Sequence, residues 1–323
     1  MCYSAQVYAD WRKFTRMFGA TMSVGEFYRT FWQRNNEPEA KVKIPKAMEQ
    51  AFADPQTNDE RRIKAEIDAW RTGEATRLEQ ELFAQRKRLA DAERVLAGPK
   101  PTKKAADDAR IAPAKIERAR GALADLQRTE LEPRDSRIFP GVYAPVMVVQ
   151  DGELVVMPMR YQCRPCGSPE FFDTKFPGTY NARRDNLDGR FWKPLFGYSH
   201  GILLAESFYE HVPRHKTEGR ELAPGEAEED TILEFRPAGL EVMLVACLWA
   251  RWTSPGKADL LSFAAITDEP PPEVAAAGHD RCIIPIKREN VDAWLRPDAT
   301  QLDALHSILD DRERPYYEHR LAA

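Results

Sequence analysis

Between about Asn58 and Glu132 the chain holds few β-branched or aromatic residues and is rich in Ala, Glu, Lys, Arg and Leu, and after Pro133 this texture reverses. No other feature constrains the fold so strongly, because the first composition favours helix and the second favours strand. Within the first stretch Ile63, Ile67 and Trp70, then Leu78, Leu82, Leu89 and Leu96, recur at helical steps, which predicts one long helix with a narrow apolar stripe. Gly73 is a candidate interruption. Ala97-Gly98-Pro99-Lys100-Pro101 ends that helix, and a second pattern runs through Ile116, Leu123 and Leu126. Two helices joined by a Gly/Pro turn predict an antiparallel helical hairpin. Dense mixed charge makes a solvated arm the expectation, against a partner-binding or DNA-clamping role.

After Pro133, short runs of Val, Ile, Phe and Tyr alternate with Gly, Pro and Asp. Val142 to Val149 and Glu153 to Met159 flank Gln150-Asp151-Gly152, the signature of a β-hairpin. Further strands are expected at 201–210, 232–235, 241–250, 261–267 and 282–286, with short helical pieces at 192–196 and 288–295. There is no βαβ alternation and no Gly-rich phosphate fingerprint, which argues against a Rossmann or P-loop enzyme. The expected class is therefore α+β, with a mostly antiparallel sheet.

The chain has 47 Lys and Arg against 51 Asp and Glu, a formal net charge of −4. That balance supplies no global footprint for nucleic acid, so any basic surface has to be local. One candidate is Arg183, Arg184, Arg190 and Lys193 with Phe191 and Trp192 among them, extended by Arg160, Arg164, Arg214 and Lys216, a composition suited to tracking phosphates and stacking bases. No apolar run approaches the length of a membrane span. The first ten residues have neither a basic nor an apolar leader region, so a cytoplasmic protein is expected, associated with the nucleoid when bound to DNA. Five cysteines, Cys2, Cys163, Cys166, Cys247 and Cys282, are too few and odd for a disulfide framework. Cys163 and Cys166 with His211 and His215 are ligand types for zinc, but the gap between the pairs is longer than in a zinc finger. No metal or cofactor is expected, and Cys247 and Cys282 are read as core.

Cys2 follows the initiator Met1. Once Met1 is removed, an N-terminal cysteine carries an α-amine and a thiol on one skeleton, and an aldehyde meeting both closes a thiazolidine. Downstream in order come Tyr143-Ala144-Pro145, Asn181-Ala182-Arg183, a run ending Phe208-Tyr209-Glu210, Ala246-Cys247-Leu248-Trp249, and Gly278-His279-Asp280-Arg281. With Met1-Cys2 in front, this set resembles the SOS-response-associated peptidase (SRAP) family, whose members recognise abasic sites in single-stranded DNA. The resemblance implies a SRAP-like open barrel with flanking short helices. It implies a discontinuous catalytic domain, residues 1–34 and 135–323, with residues 35–134 as a helical insertion that has no counterpart in compact members and is open to a protein partner. It also implies a DNA-protein crosslink through Cys2, assisted by Asn181, Glu210 and His279. Glu210 would move protons, His279 would serve the sugar oxygen, Asn181 would hold the amine or a hydroxyl, and Arg183 would take a phosphate. The pattern departs from the family where Tyr3-Ser4 replaces Gly-Arg, and where Met159 to Cys166 replaces a tryptophan-bearing segment. The rival readings are an N-terminal-nucleophile amidohydrolase or self-processing peptidase, and a non-catalytic module that binds single-stranded DNA.

Overall fold

Asp151 and Gly152 both take positive φ, 51° and 84°, the backbone of a two-residue turn whose twist matches that of its flanking strands. In the computed structural model, which describes residues 3–322, Tyr143–Gln150 and Glu153–Tyr161 accordingly pair from Tyr143↔Arg160 to Gln150↔Glu153. The rest of the sheet grows from this hairpin. In chain order its strands are β1 (Ser4–Val7), β2 (Thr21–Met22), β3 (Arg137–Ile138), β4 and β5 (the hairpin), β6 (Asn181–Arg183) and β7 (His200–Pro213). They continue as β8 (Asp230–Pro237), β9 (Met243–Trp252), β10 (Leu260–Asp268), β11 (Cys282–Ile283) and β12 (Tyr317–Leu321).

Most neighbours are antiparallel, whereas β5 and β6 run parallel to β10, and β2 runs parallel to β5. The path β4, β5, β10, β9, β7 returns to β4 through Met147↔Ile202, so these five strands close into a ring. At that closure a β-carbon on Gly201 would stand 2.8 Å from Val146 Cγ1, which is why glycine occupies the position. Period-two alternation sends Val146, Met157, Leu203, Val245 and Phe263 into one core and Met147, Val156, Ile202, Leu244 and Ala264 into another. The second core is covered by Phe14 of α1 (Trp11–Phe18), Phe27 and Phe31 of α2 (Val24–Asn36), Met48 of α3 (Lys46–Gln50), and Trp294.

The helical hairpin consists of α4 (Asn58–Leu96) and α5 (Lys103–Gln127). Thr57 and Thr102 cap their N-termini, accepting from the backbone N–H of Glu60 and Ala105. Gly73 does not interrupt α4, which runs unbroken through it; its cost of about 1 kcal/mol is absorbed by the long helix around it. The buried seam is narrower than the leucine stripe suggests. Leu78, Gln85 and Ala92 of α4 are buried along with Ala105, Ala112 and Ala119 of α5, alanines spaced by seven that let the two backbones approach, whereas Ile63 and Ile67 belong to the helix-covered core.

At the root of the arm, buried Glu49 lies between Arg34 and Arg71, the latter at 2.9 Å. Arg34 stacks over Trp70 at 4.0 Å. Also at the root, where the chain returns from α5, Gln6 of β1 donates to the Pro133 carbonyl and to Ser136 Oγ, both at 2.6 Å. The expected helix at 192–196 is a run of turns, since Pro194 supplies no N–H to continue one. The expected strand at 282–286 is confined to Cys282–Ile283, beyond which Pro285 and Ile286 make isolated bridges. Among the described residues no helix is long and apolar enough to cross a membrane.

Candidate active site and nucleic-acid interface

Glu210 lies near the end of β7, where pairing with Leu233 of β8 fixes its backbone and leaves its side chain with no exposed surface. His279 follows Gly278, whose φ of 99° reverses the chain after the short helix Pro272–Ala276. The turn brings His279 Nε2 to 3.1 Å from Glu210 Oε2, across 69 residues of sequence. His279 Nδ1 lies 2.9 Å from the Arg281 carbonyl. The Arg281 N–H also reaches Nδ1, at 3.3 Å, so Nδ1 has both an acceptor and a donor beside it, and Nε2 faces the carboxyl. With Nδ1 accepting, Nε2–H donates to the carboxylate; with Nδ1 donating, a proton on the carboxyl or on Nε2 fills the same gap. The pair therefore holds one proton between Nε2 and Oε2, which either atom can carry. Burial lowers the imidazole's pKa from its ordinary value, keeping the proton easy to release.

Asn181 is the first residue of β6 and pairs in register with Ala265 of β10. It is 6% exposed, and neither its Oδ1 nor its Nδ2 has a hydrogen-bond partner among the described residues. An unsatisfied buried amide costs on the order of 1–3 kcal/mol per group, a cost a bound ligand's polar atoms would remove. Thr267, two residues along β10 on the same face, likewise buries a hydroxyl with no partner among the described residues. Thr267 ends the run Phe263-Ala264-Ala265-Ile266-Thr267, which belongs to the family-like pattern, but sequence alone assigns it no role because a threonine in a strand carries no signal of its own.

Cys2 lies outside the described residues. Its neighbour Tyr3 packs edge-on against Tyr180 (6.2 Å between centroids), His211 (5.4 Å) and Phe139 (5.7 Å). Tyr180 and His211 immediately adjoin Asn181 and Glu210. Ser4 pairs with Tyr209, so the start of β1 runs alongside the strand that holds Glu210. A cavity of about 520 Å³ opens at His279, lined also by Lys216, Arg220, Gly278 and Asp280.

The residues expected to contact DNA divide sharply. Trp192 is 4% exposed and belongs to the helix-covered core, so it cannot stack on a base. Arg160 and Arg164 both bind Asp173, and Arg164 is buried over Trp252 at 4.6 Å. Against burial, the hydrogen bonds of those guanidiniums hold the Asp173 carboxyl below its ordinary range. Arg184 bridges Asp268 and Asp310. These three arginines are fastened within the fold rather than offered to a phosphate. Arg183 is exposed and paired with Asp185, an exposed pair that a phosphate can displace at little cost. Arg190 and Lys193 are exposed and have no ion-pair partner among the described residues.

Around Arg190 and Lys193 lies an aromatic surface that the expected set lacks. Phe172 stacks on Phe191 at 5.6 Å and 6° and meets Phe176 at 4.4 Å. Phe171 and Phe176 are 61% and 43% exposed, and Lys175 lies 5.5 Å over the Phe176 ring. The sequence clue was Phe171-Phe172 beside Lys175-Phe176. Burial raises the thiol of Cys163 to about 12 and pushes those of Cys247 and Cys282 up too, making all three inert core groups. Among the described residues no group of three or more His, Cys, Asp or Glu side chains is placed to hold a metal ion.

A family model described as SOS response associated peptidase (SRAP) matches residues 106–321, two thirds of the sequence. The chain belongs to the SRAP family. This SRAP chain is similar in structure to a protein from Bordetella bronchiseptica at 15% identity (TM-score 0.46), covering 61% of this chain and 90% of that one. It is also similar to a phage-related protein of the same organism at 21% identity (TM-score 0.44), with coverages of 60% and 84%. A third similar structure, from Bacteroides thetaiotaomicron, is 13% identical (TM-score 0.44), with coverages of 58% and 78%. No curated protein matches the chain. The match to the SRAP family model begins within α5 and leaves α4 outside it.

Proposed function

We propose that this SRAP protein captures abasic sites in single-stranded DNA as a covalent adduct through Cys2. The observation that carries the reading is the buried Glu210–His279 pair at 3.1 Å, in a strand neighbourhood that the start of β1 shares through Tyr3 and Ser4. A ring-opened abasic sugar presents an aldehyde. After removal of Met1 the Cys2 amine adds to it, the carbinolamine loses water to give an imine, and the thiol adds to the imine carbon. One aldehyde and one aminothiol thus give one thiazolidine and one water. The shared proton of Glu210 and His279 serves ring opening and departure of the carbinolamine oxygen, and the pair then takes up the proton released by the amine. Asn181 offers its unused amide to the sugar hydroxyl or the amine. Arg183, Arg190 and Lys193 hold flanking phosphates, while Phe171 and Phe176 provide the stacking faces. In this reading residues 1–34 and 135–323 form the catalytic unit and residues 35–134 interrupt it.

Incubation with an abasic oligonucleotide is expected to give an adduct that survives denaturation, at the summed mass less one water. Cys2→Ala should abolish the stable adduct. Glu210→Gln should slow its formation by roughly 10²–10⁴-fold. A Cys2→Ala protein that crosslinks as fast and as stably as the native chain would overturn the proposal. Glutamine hydrolysis without any adduct would favour the amidohydrolase instead.

A further inference from the structure

Charge along the helical hairpin is segregated rather than mixed. Residues 58–83, nearer the body, carry five basic and seven acidic side chains. The distal stretch 84–115 carries nine basic and four acidic ones, a net of +5, against −9 for the rest of the chain. Three of its four acids are engaged locally: Asp108 with Arg88 and Lys104, Asp91 with Arg94, and Asp107 with Arg110. Arg86, Lys87, Lys100, Lys103 and Lys115 are exposed, with no carboxylate partner among the described residues.

We propose that the distal half of the hairpin is a second nucleic-acid contact, binding the phosphate backbone that flanks the lesion. The surface fits a polyanion because it offers uncompensated cations on a protein whose remainder is net acidic, so the arm adds an attraction that the remainder's net charge does not supply. The arm's root is tied to β1 through Gln6, Pro133 and Ser136, the strand that leads to Cys2. A helix of 39 residues is about 58 Å long, roughly the rise of 17 nucleotides or base pairs. A lesion-bearing strand held near β1 therefore meets the distal cations only where its flanks are long enough. This inference rests on the DNA-binding reading above and extends it from the lesion to the surrounding backbone.

The test compares the native protein with a variant carrying Arg86→Gln, Lys87→Gln, Lys100→Gln, Lys103→Gln and Lys115→Gln. Glutamine retains helix propensity, and matching circular dichroism and melting temperature check the fold. A second variant replaces residues 84–115 with a short glycine-containing turn. Two probes are used: an abasic strand of about nine nucleotides, and the same lesion in a gap flanked by duplex arms of about 25 base pairs. With the long probe, log K against log salt should be shallower by about 3–4 for either variant. Over a fourfold rise in salt, the native protein should then lose roughly 10²-fold more affinity than the variants. Adduct formation on the short probe should be unchanged. Equal affinity and equal salt slope on the long probe for native and both variants would overturn the inference while leaving covalent capture standing. A slope difference without any adduct on either probe would support the arm contact and sink the capture chemistry. Unchanged long-probe binding with lost binding of polyglutamate would assign the arm to an acidic protein partner and also overturn it.

Discussion

His200 supplies a test of the fold in which the sign and size of the effect follow from three contacts. The ring is 2% exposed, Nδ1 lies 2.9 Å from the Trp294 carbonyl, and Nε2 accepts from the Gly197 N–H at 2.9 Å. Since the carbonyl only accepts, Nδ1 carries the one ring hydrogen, and a second proton on Nε2 would meet the Gly197 donor head-on. Burial lowers the pKa from 6.5 to about 3. Between those values the unfolded chain binds a proton that the folded chain refuses. Stability is therefore full above pH 6.5 and falls as pH drops, by about 1.4 kcal/mol per unit. This amounts to about 2 kcal/mol at pH 5, levelling off at about 5 kcal/mol near pH 3. His279, also lowered by burial, acts in the same direction. His200→Gln removes the titration and keeps an acceptor near Gly197, although lost packing should make the variant less stable at pH 7.5. Urea unfolding of both proteins from pH 7.5 to pH 5 should show the stability gap narrowing by about 2 kcal/mol. A gap that stays constant across that range would refute the neutral, doubly bonded imidazole.

Two further outcomes probe the root of the arm and the division of the basic segment. Glu49→Gln should destabilise by about 3–5 kcal/mol, read as a lower melting temperature, because Arg34, with a side chain 5% exposed, loses its counter-charge. Most of that cost belongs to Arg34, since Arg71 at 30% exposure reaches water, and pairing Arg34→Met with Glu49→Leu should recover most of the loss. Trp192→Ala should lower stability by about 3–5 kcal/mol in thermal unfolding without changing the salt slope of DNA binding, whereas Lys193→Gln should do the reverse.

What the sequence disclosed and what it hid divide along the range of the forces involved. The β4–β5 hairpin was legible because alternation and the Asp151-Gly152 turn act over neighbouring residues. The helical pair was legible for the same reason, down to the stop at 97–101. By contrast β1 is only Ser-Ala-Gln-Val, four residues with no pattern, and it becomes a strand because Ser207 to Tyr209 is there to pair with it. The C-terminal β12 owes its form in the same way to β8. At the candidate site, the choice of Glu210 and His279 came from family resemblance. Their contact depends on the turn at Gly278, which no periodicity encodes. Composition placed Arg190, Trp192 and Lys193 in one basic and aromatic segment, but could not say that the indole turns inward while the two cations stay outside. Nor could it show that Asp173, 13 residues from one arginine and nine from the other, would claim both Arg160 and Arg164.

The placement of β1 also dictates a schedule during synthesis. Gln6 and Tyr209 are 203 residues apart yet bonded. At about 5–20 residues per second, a ribosome needs roughly 10–40 s to deliver the strand on which β1 docks. Throughout that interval β1 waits without its β7 partner, and the sheet takes shape around it only after β7 emerges.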